Sequence, residues 1–414
     1  MQYNILLKII LTNFSMYRKI EYIVAILLIL ECNTVYSNSI YPGGIYSIGT
    51  FSLTLLLCYF NLKSKVNNIE NIKTITFFIL YFIGIIILFF NSNSTFRISY
   101  ISKFILLLPT FIYYIATIPN KKYKFNLLYA ISNVMLIEAI ISIIFFTLGT
   151  CFSIIPASQL ISINWGNLTL IPSWYNIYFE PQLFRNSGIF VEAPMHNFCL
   201  TIAFLTEAFL KEKKSKFKIT TLVIAILTSL STTGQLAIIG TIGISLLNNK
   251  RRLKNTSLKL KILISFLSIG LIILMYYVVD YILELKAETA SFEIRQDFIK
   301  QGLEAWKTHP ILGCGYGTNG DGSSNSIIVL LAEGGIMMFS LYILSFIIIP
   351  FLYWKRKINK NLFYFYIIYF GVFCITIILY SNITLFTLSI TLSIFIKKQN
   401  SNMSLPRKEI TLTQ

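Results

Sequence analysis

"SIIVLLAEGGIMMFSLYILSFIIIPFLY", residues 326–353, carries a single charged side chain, Glu333. A helix of about 20 apolar residues crosses the hydrocarbon core of a membrane, so this stretch is too long for one upright span. The Gly334–Gly335 pair predicts a bend. We therefore predict an interfacial helix up to the glycines and a membrane span after them.

The rest of the chain has a similar composition. Of its 414 residues, 55% are hydrophobic and 13% are charged, whereas a soluble domain has about 25% charged residues. We predict an all-α fold, a polytopic integral membrane helical bundle in which residues 1–414 form a single membrane domain with about twelve transmembrane helices. The predicted segments are 20–36, 44–62, 74–90, 98–118, 126–150, 196–210, 219–233, 235–247, 262–283, 328–353, 362–380 and 382–396.

The basic residues predict the orientation of these segments. If the N-terminus is cytoplasmic and the spans alternate, most of the 35 lysines and arginines fall in cytoplasmic segments, as the positive-inside rule requires. Both termini are then cytoplasmic, including a tail at 397–414. The net charge of +18 is thus explained as an insertion signal rather than a nucleic-acid surface. The exceptions are Lys103, within a span, and the outward residues Arg97, Arg185, Lys286, Arg295, Lys300 and Lys307.

Two predicted outer loops are long, at 151–195 and 284–325. Long loops in compact proteins are usually functional or disordered. Both contain aromatic residues and neither is rich in serine or in uncompensated charge, which predicts ordered segments on the membrane face or in a cap. The aromatic residues are Trp165, Trp174, Tyr175, Tyr178, Phe179, Phe292, Phe298 and Trp306.

Arg185 and Arg295 are the arginines of these two loops, and each has two interpretations. An outward arginine opposes the insertion rule, and its planar guanidinium would suit a phosphate. Alternatively, each forms a salt bridge with a neighbouring carboxylate, Glu180 or Glu192 for Arg185 and Asp297 or Glu293 for Arg295. The sequence alone leaves both interpretations open.

The second loop ends in "THPILGCGYGTNGDGSSNS", residues 308–326, where glycines are dense. Glycines let a backbone turn tightly and bring N–H groups close to a ligand, which predicts a binding role for Gly313, Gly315 and Gly317. The alternative is a flexible hairpin tip. The stretch is neither a P-loop nor a dinucleotide-binding fingerprint, because no GK[ST] follows it and no strand precedes it.

Other ionisable residues lie in apolar surroundings. Glu333 is either paired or a general base. Glu138 lies within a predicted span, where a partner is expected, and Lys103 is the candidate. We expect a solvated or capping role for His196 and for His309. The histidines and the six cysteines lack metal-ligand spacing, so no metal site and no disulfide framework are predicted.

Taken in order, these motifs resemble a known family. The chain has R-x-x-G-x-F-x-E-x-P, a small polar hairpin, an arginine, H-P-I-L-G-x-G-x-G, and then LLAEGG at the start of a span. This order resembles the O-antigen polymerase and ligase superfamily of bacterial inner membranes. The matching residues are Arg185, Gly188, Phe190, Glu192, Pro194, Arg295, Pro310, Leu312, Gly313, Gly315, Asn325, Glu333 and Gly335.

The resemblance implies a membrane glycosyltransferase of lipopolysaccharide or capsule-like polysaccharide biosynthesis. A polymerase of this superfamily moves a growing glycan from undecaprenyl pyrophosphate onto an incoming lipid-linked repeat unit at the periplasmic face, without a metal or another cofactor. Arg185 and Arg295 would neutralise the pyrophosphate leaving group. Glu192 or Glu333 would orient an arginine or deprotonate the acceptor hydroxyl.

The resemblance and the loop composition together suggest the substrate contacts. The expected partners are the undecaprenyl-pyrophosphate-linked oligosaccharide and membrane lipids, with a chain-length regulator and a flippase as further candidates, and no nucleic acid. The residues expected to bind substrate are Gly188, Gly313, Gly315, Gly317, Ser324, Asn325 and Trp306.

Ser324 bears on the choice within the superfamily. The ligase branch has a His-Asn or His-Ser pair before the later glycine. Here nine residues lie between Asn325 and Gly335, but Ser324 occupies the histidine position, which favours a polymerase over a ligase. A lipid-linked oligosaccharide flippase is the alternative from another class. It would have charges lining its spans and short loops on both sides, unlike this sequence.

Overall fold

The fold is that of a computed structural model. The predicted spans at 74–90 and 262–283, together with Gly317 and Ser324, lie outside the residues that the structure describes. The described residues are 2–37, 43–63, 103–118, 121–155, 161–165, 168–170, 172–174, 177–180, 185–249, 290–315 and 325–401.

Helices dominate the described part of the chain, as its apolar composition predicts. They are α1 (Gln2–Glu31), α2 (Gly43–Lys63), α3 (Leu108–Thr117), α4 (Asn126–Phe145), α5 (Ala193–Leu205), α6 (Lys216–Thr228), α7 (Thr232–Asn249), α8 (Ala290–Thr308), α9 (Ser326–Ile343), α10 (Ile349–Lys355), α11 (Lys360–Ile375) and α12 (Asn382–Ser401). Short 3₁₀ or π-helical turns extend several of them, at Lys103–Leu107, Lys121–Phe125, Phe146–Cys151, Thr206–Leu210 and Leu344–Ile348.

The prediction of an all-α integral membrane protein is confirmed. Among the described residues, three helical stretches are long and apolar enough to cross a membrane: Gly44–Leu62, Tyr123–Cys151 and Ser326–Lys355. Shorter apolar helices coincide with three more predicted segments, at Lys103–Thr117, Lys360–Ile375 and Asn382–Ser393. The count of twelve spans stays a prediction.

The first long loop contains short strands that the sequence did not indicate. They form a two-stranded antiparallel sheet and a three-stranded one, in the order β3-β4-β5. In the second sheet Glu180 of β4 is the backbone partner of Arg185 of β5. The strands are β1 (Ile161–Trp165), β2 (Leu168–Leu170), β3 (Pro172–Trp174), β4 (Ile177–Glu180) and β5 (Arg185–Asn186).

The core joins helices that are far apart in the sequence. The helix α1 packs on α2 and α4, α12 packs on α3, and α11 packs on α7. Buried aromatic rings fill the contact of α9 and the turn after it with α11. The rings of Tyr342 and Phe373 stack with centroids 5.3 Å apart, and the ring of Phe346 lies 5.4 Å from that of Phe373. Within a bilayer, close packing of this kind, rather than escape from water, stabilises helix contacts.

The helix α9 is broken where the glycine pair predicts a bend. Gly335 has φ 58° and ψ −162°, which is not helical. A break of this kind frees backbone N–H and carbonyl groups from their helical partners. Those groups need other partners because the hydrocarbon core offers no water.

Candidate functional site

The R-x-x-G-x-F-x-E-x-P segment is bonded to the chain that follows α1. The Val35 N–H donates to the Ile189 carbonyl at 3.0 Å, and the Val191 N–H donates to the Asn33 carbonyl at 2.9 Å. Phe190, between these two bonds, is fully buried. This part of the first long loop is therefore attached to the helical bundle.

Arg185 begins that segment and Glu192 lies two residues before its end, and both are half-buried. Arg185 begins the strand β5. Glu192 is the residue before α5, in an extended conformation with φ −132° and ψ 139°. Its carbonyl accepts the N–H groups of Met195 and His196, but its side chain does not cap the helix. The helix α5 thus begins after Glu192 without a capping hydrogen bond from the Glu192 carboxylate.

The structure corrects two predictions about buried charge. His196 is 0% exposed rather than solvated, and its Nε2 lies 2.8 Å from Glu138 Oε2. Lys103 is not the partner of Glu138, because its ammonium pairs with Glu31 instead. An ionisable group inside a membrane bundle needs a partner, and the sequence could not show which of the distant candidates supplies it.

The H-P-I-L-G-x-G segment packs against the break in α9. Four backbone hydrogen bonds join residues 310–315 to residues 332–337. They run from the N–H of Cys314 to the carbonyl of Ala332 (2.7 Å), from Gly315 to Glu333 (3.0 Å), from Ile336 to Pro310 (3.0 Å) and from Met337 to Ile311 (3.3 Å). The segment thereby supplies partners for the groups that the break frees.

This contact is too close for side chains at Gly313 and Gly335. A Cβ atom on Gly313 would lie 2.3 Å from the carbonyl carbon of Glu333, and one on Gly335 would lie 2.3 Å from the Ile311 carbonyl oxygen. Both glycines also have positive φ, of 72° and 58°. The N–H groups of Gly313 and Gly315 bond to carbonyls inside the protein. Their predicted contact with substrate stays a prediction. Such a contact could not use these two N–H groups, because both already donate to protein carbonyls.

A polar network connects the break in α9 to the end of α1. The Glu333 carboxyl is buried, with the residue 1% exposed, and accepts a hydrogen bond from the Tyr380 hydroxyl. The Tyr380 carbonyl accepts a hydrogen bond from the Lys103 ammonium at 3.0 Å, and Lys103 pairs with Glu31, the last residue of α1. Since the chain after α1 bonds to the first motif, the two motif regions are joined through this network.

The other predicted site residues have structural contacts of their own. The Asn325 side-chain oxygen caps α9 by accepting the N–H groups of Ile327 and Ile328 at 2.9 and 3.4 Å. The Trp306 indole N–H donates to the Pro310 carbonyl at 3.2 Å. Their predicted contacts with substrate stay predictions.

For Arg295 the structure gives the backbone position, within α8, and its side chain is not among those described. Gly188 has φ 55° and lies against Glu138. Among the residues that the structure describes, no group of three His, Cys, Asp or Glu side chains could hold a metal ion.

Sequence reasoning missed Glu31 and Tyr380. Glu31 ends an apolar run, and a charged residue at such a place indicates that it needs a partner. The sequence therefore contained a signal for Glu31. Tyr380 gave no signal, because one tyrosine among the 25 of the chain is distinguished only by its tertiary contact with Glu333.

Comparison with known proteins supports the resemblance over part of the chain. Residues 219–343 match the protein-family model described as O-antigen ligase. The matched range runs from α6 into α9 and includes the 310–315 segment and the helix break. No curated protein matches the chain. The family match is consistent with the O-antigen polymerase and ligase superfamily and does not distinguish a polymerase from a ligase.

Proposed function

We propose that this chain is an oligosaccharide repeat-unit polymerase of a bacterial inner membrane. The observation that carries the proposal is the family match over residues 219–343, which supports an integral membrane enzyme that transfers lipid-linked glycans. Ser324, at the position where the ligase branch has histidine, favours the polymerase. The proposed substrates are an undecaprenyl-pyrophosphate-linked glycan as donor and a lipid-linked repeat unit as acceptor.

In the proposed reaction, an acceptor hydroxyl attacks the anomeric carbon that links the growing glycan to its lipid. A glycosidic C–O bond forms, the bond to the pyrophosphate oxygen breaks, and the lipid pyrophosphate leaves with the electron pair. The proton of the hydroxyl passes to a carboxylate. Arg185 and Arg295 neutralise the negative charge that develops on the leaving group.

The two candidate carboxylates, those of Glu192 and Glu333, differ in burial. Glu333 is 1% exposed and one of its oxygens already accepts the Tyr380 hydroxyl. Glu192 is half-buried at the start of α5, in the same segment as Arg185. An acceptor sugar must reach the carboxylate that takes its proton. We therefore assign proton acceptance or arginine orientation to Glu192, and a positioning role to Glu333.

The experiment is the surface glycan of a strain that lacks the gene, complemented with wild type, Arg185→Ala or Arg295→Ala. Wild type should restore a ladder of long chains, whereas each arginine variant should leave single repeat units although it inserts at the wild-type level. Lys300→Ala is the control, because Lys300 is an exposed residue of the same helix as Arg295. Full-length chains from both arginine variants would show that the site is wrong.

The same strain separates the alternative functions. Loss of a ligase leaves long chains on the lipid carrier with none attached to the acceptor lipid. Loss of a flippase leaves lipid-linked repeat units on the cytoplasmic side. A polymerase deletion instead leaves single repeat units that are exported and attached.

The proposed topology places both termini in the cytoplasm and the loops 151–195 and 284–325 in the periplasm. Cys151 is exposed at the start of the first loop. In a Cys314→Ser background, an impermeant maleimide added to spheroplasts should label Cys151. With Cys151 also changed to serine, a cysteine at the exposed position Lys214 should react only after permeabilisation. The opposite labelling pattern would reverse the proposed topology.

A further inference from the structure

We infer that Glu138 and His196 form a buried positioning pair that holds the Arg185 segment in place. Glu138 lies on α4 and is 8% exposed, and His196 lies on α5 and is 0% exposed. The inference rests on the proposed function, because Arg185 is the residue that the pair positions for the pyrophosphate.

The hydrogen-bond geometry shows that the pair contains one shared proton. His196 Nδ1 lies 3.0 Å from the backbone carbonyl of Asn186. A carbonyl only accepts, so Nδ1 carries a hydrogen. His196 Nε2 lies 2.8 Å from Glu138 Oε2, and this contact is a hydrogen bond only if one proton lies between them. Whether the proton belongs to the imidazole or to the carboxyl, the pair is neutral, as burial in a membrane bundle favours.

Through this bond His196 holds the residue next to Arg185. The Asn186 carbonyl accepts from His196, and its side-chain amide donates to Ser142 on α4 at 3.3 Å and to Thr228 at the end of α6 at 3.1 Å. Asn186 is 1% exposed. Three helices therefore bind one residue of the first motif, and together they determine the position of the backbone next to Arg185.

The remainder of the motif lies directly on the pair. A Cβ atom at Gly188 would be 2.0 Å from Glu138 Oε1 and 3.1 Å from His196 Nε2, so only glycine allows this approach. The Phe190 ring stacks on the His196 imidazole, with centroids 5.3 Å apart and an interplanar angle of 21°. The contacts of Gly188 and Phe190 with the buried pair thus explain why R-x-x-G-x-F has a glycine and a phenylalanine at these positions.

Glu207 provides a matched comparison. It is also buried, at 1% exposure, and lies in the π-helical turn after α5. Its carboxylate accepts from Ser132 at 2.7 Å and pairs with Lys211. These contacts belong to the opposite end of the same helix from His196, so Glu207 tests the effect of a buried carboxylate that does not touch the Arg185 segment.

The experiment compares Glu138→Gln, Glu138→Leu and Glu207→Leu in the complemented strain. The glutamine amide can donate to a neutral His196 Nε2 and preserve the bridge, so Glu138→Gln should keep chain synthesis within about twofold of wild type. Glu138→Leu removes the bridge and should lower long-chain glycan by at least about tenfold at equal protein level. Glu207→Leu leaves the Lys211 ammonium without its carboxylate and should destabilise the protein, but at equal protein level it should keep the ladder. Loss of long chains in Glu138→Gln, or their retention in Glu138→Leu, overturns the inference.

Two further variants connect the loss to Arg185. In an Arg185→Lys background, which keeps the charge and loses the planar fork, adding Glu138→Leu should lower synthesis by no more than about twofold, because both changes act on one group. If Glu138→Leu does not accumulate, Asn186→Ala takes its place and should also lose long chains. Additive losses, or a full ladder from Asn186→Ala, contradict the inference.

These outcomes separate the inference from the proposed function. If Arg185→Ala loses long chains while Glu138→Leu keeps them, the pair does not position Arg185 and the proposed site stands. If Arg185→Ala keeps full-length chains, the proposed function of Arg185 fails, and the positioning role fails with it.

Discussion

Single residues of the two motif regions differ in their access to a substrate. Glu192 is half-buried and does not cap the helix that follows it, whereas Glu333 is enclosed and hydrogen-bonded to Tyr380. A general base has to reach the hydroxyl that it deprotonates, and it contributes a factor of about 100 to 10,000 to the rate. The two carboxylates should therefore respond differently to the same substitution.

We expect Glu192→Gln to lower the polymerisation rate by at least about 100-fold, because an amide cannot accept the proton. Glu333→Gln keeps an oxygen that accepts the Tyr380 hydroxyl, so its rate should fall by less than about tenfold. The measurement is chain growth from purified lipid-linked repeat units at equal enzyme concentration. Tyr380→Phe is the control, because it removes the hydrogen bond that Glu333→Gln keeps, and its rate should fall at least as far as that of Glu333→Gln. A larger loss in Glu333→Gln than in Glu192→Gln would exchange the two roles.

The sequence indicated which charged residues need a partner better than it indicated which residue is that partner. Glu333 was expected either to be paired or to act as a base, and its observed partner is a tyrosine hydroxyl. Lys103 was expected to pair with Glu138 and pairs with Glu31. The requirement for a partner follows from burial, which composition reveals. The choice of partner depends on which helices pack together, and no local pattern contains that information.

At the level of secondary structure, residues 310–315 and the broken helix α9 form one unit. The bend was predicted from Gly334–Gly335, and the structure confirms it at Gly335. The partner of the bend was not predicted, because the glycines of the H-P-I-L-G-x-G segment were interpreted as ligand-binding or flexible. Their close approach to the helix backbone explains why the two sequence motifs occur together.

We predict that Gly313→Ala and Gly335→Ala each destabilise this unit. Each methyl group would overlap backbone atoms, and each residue would have to adopt a left-handed conformation, which costs about 1–3 kcal/mol. Thermal unfolding in detergent should therefore begin at a lower temperature, and long chains should be lost. Gly371→Ala is the control, since a Cβ atom there meets nothing within 4 Å and alanine favours a helix by about 0.5–1 kcal/mol. Equal unfolding temperatures for Gly313→Ala and wild type would contradict this prediction.

Across the whole molecule, the helical membrane architecture was predictable and the small sheets were not. Apolar runs of membrane length are a local property of the sequence, and the described spans coincide with predicted segments. The strands of the first loop form in short segments, with register irregularities in two of their pairings. Alternation over two to five residues is too short to distinguish a strand from a loop.

The Glu31–Lys103 ion pair connects elements from opposite ends of the chain. Its side chains are 8% and 13% exposed, the Glu31 carboxylate also accepts the N–H of Asn382 at 3.1 Å, and Lys103 donates to the Tyr380 carbonyl. Removing one member of a buried pair leaves the other charged in a poor solvent and costs about 3–5 kcal/mol. We therefore expect Lys103→Met or Glu31→Gln alone to lower the free energy of unfolding by that amount. The double variant should recover part of the loss, because no isolated charge remains.

The matched control is Lys300→Met. Lys300 lies 3.6 Å from Asp297, but these side chains are 71% and 66% exposed. Exposed pairs contribute about 0–1 kcal/mol because solvent screens them, so this variant should unfold like wild type. The measurement is denaturant unfolding of all four variants in one detergent, with the glycan ladder recorded in parallel. If the decrease in the free energy of unfolding of the double variant equals the sum of the decreases of the two single variants, the two charges do not act as a pair. In that case the network does not join the end of α1 to the break in α9.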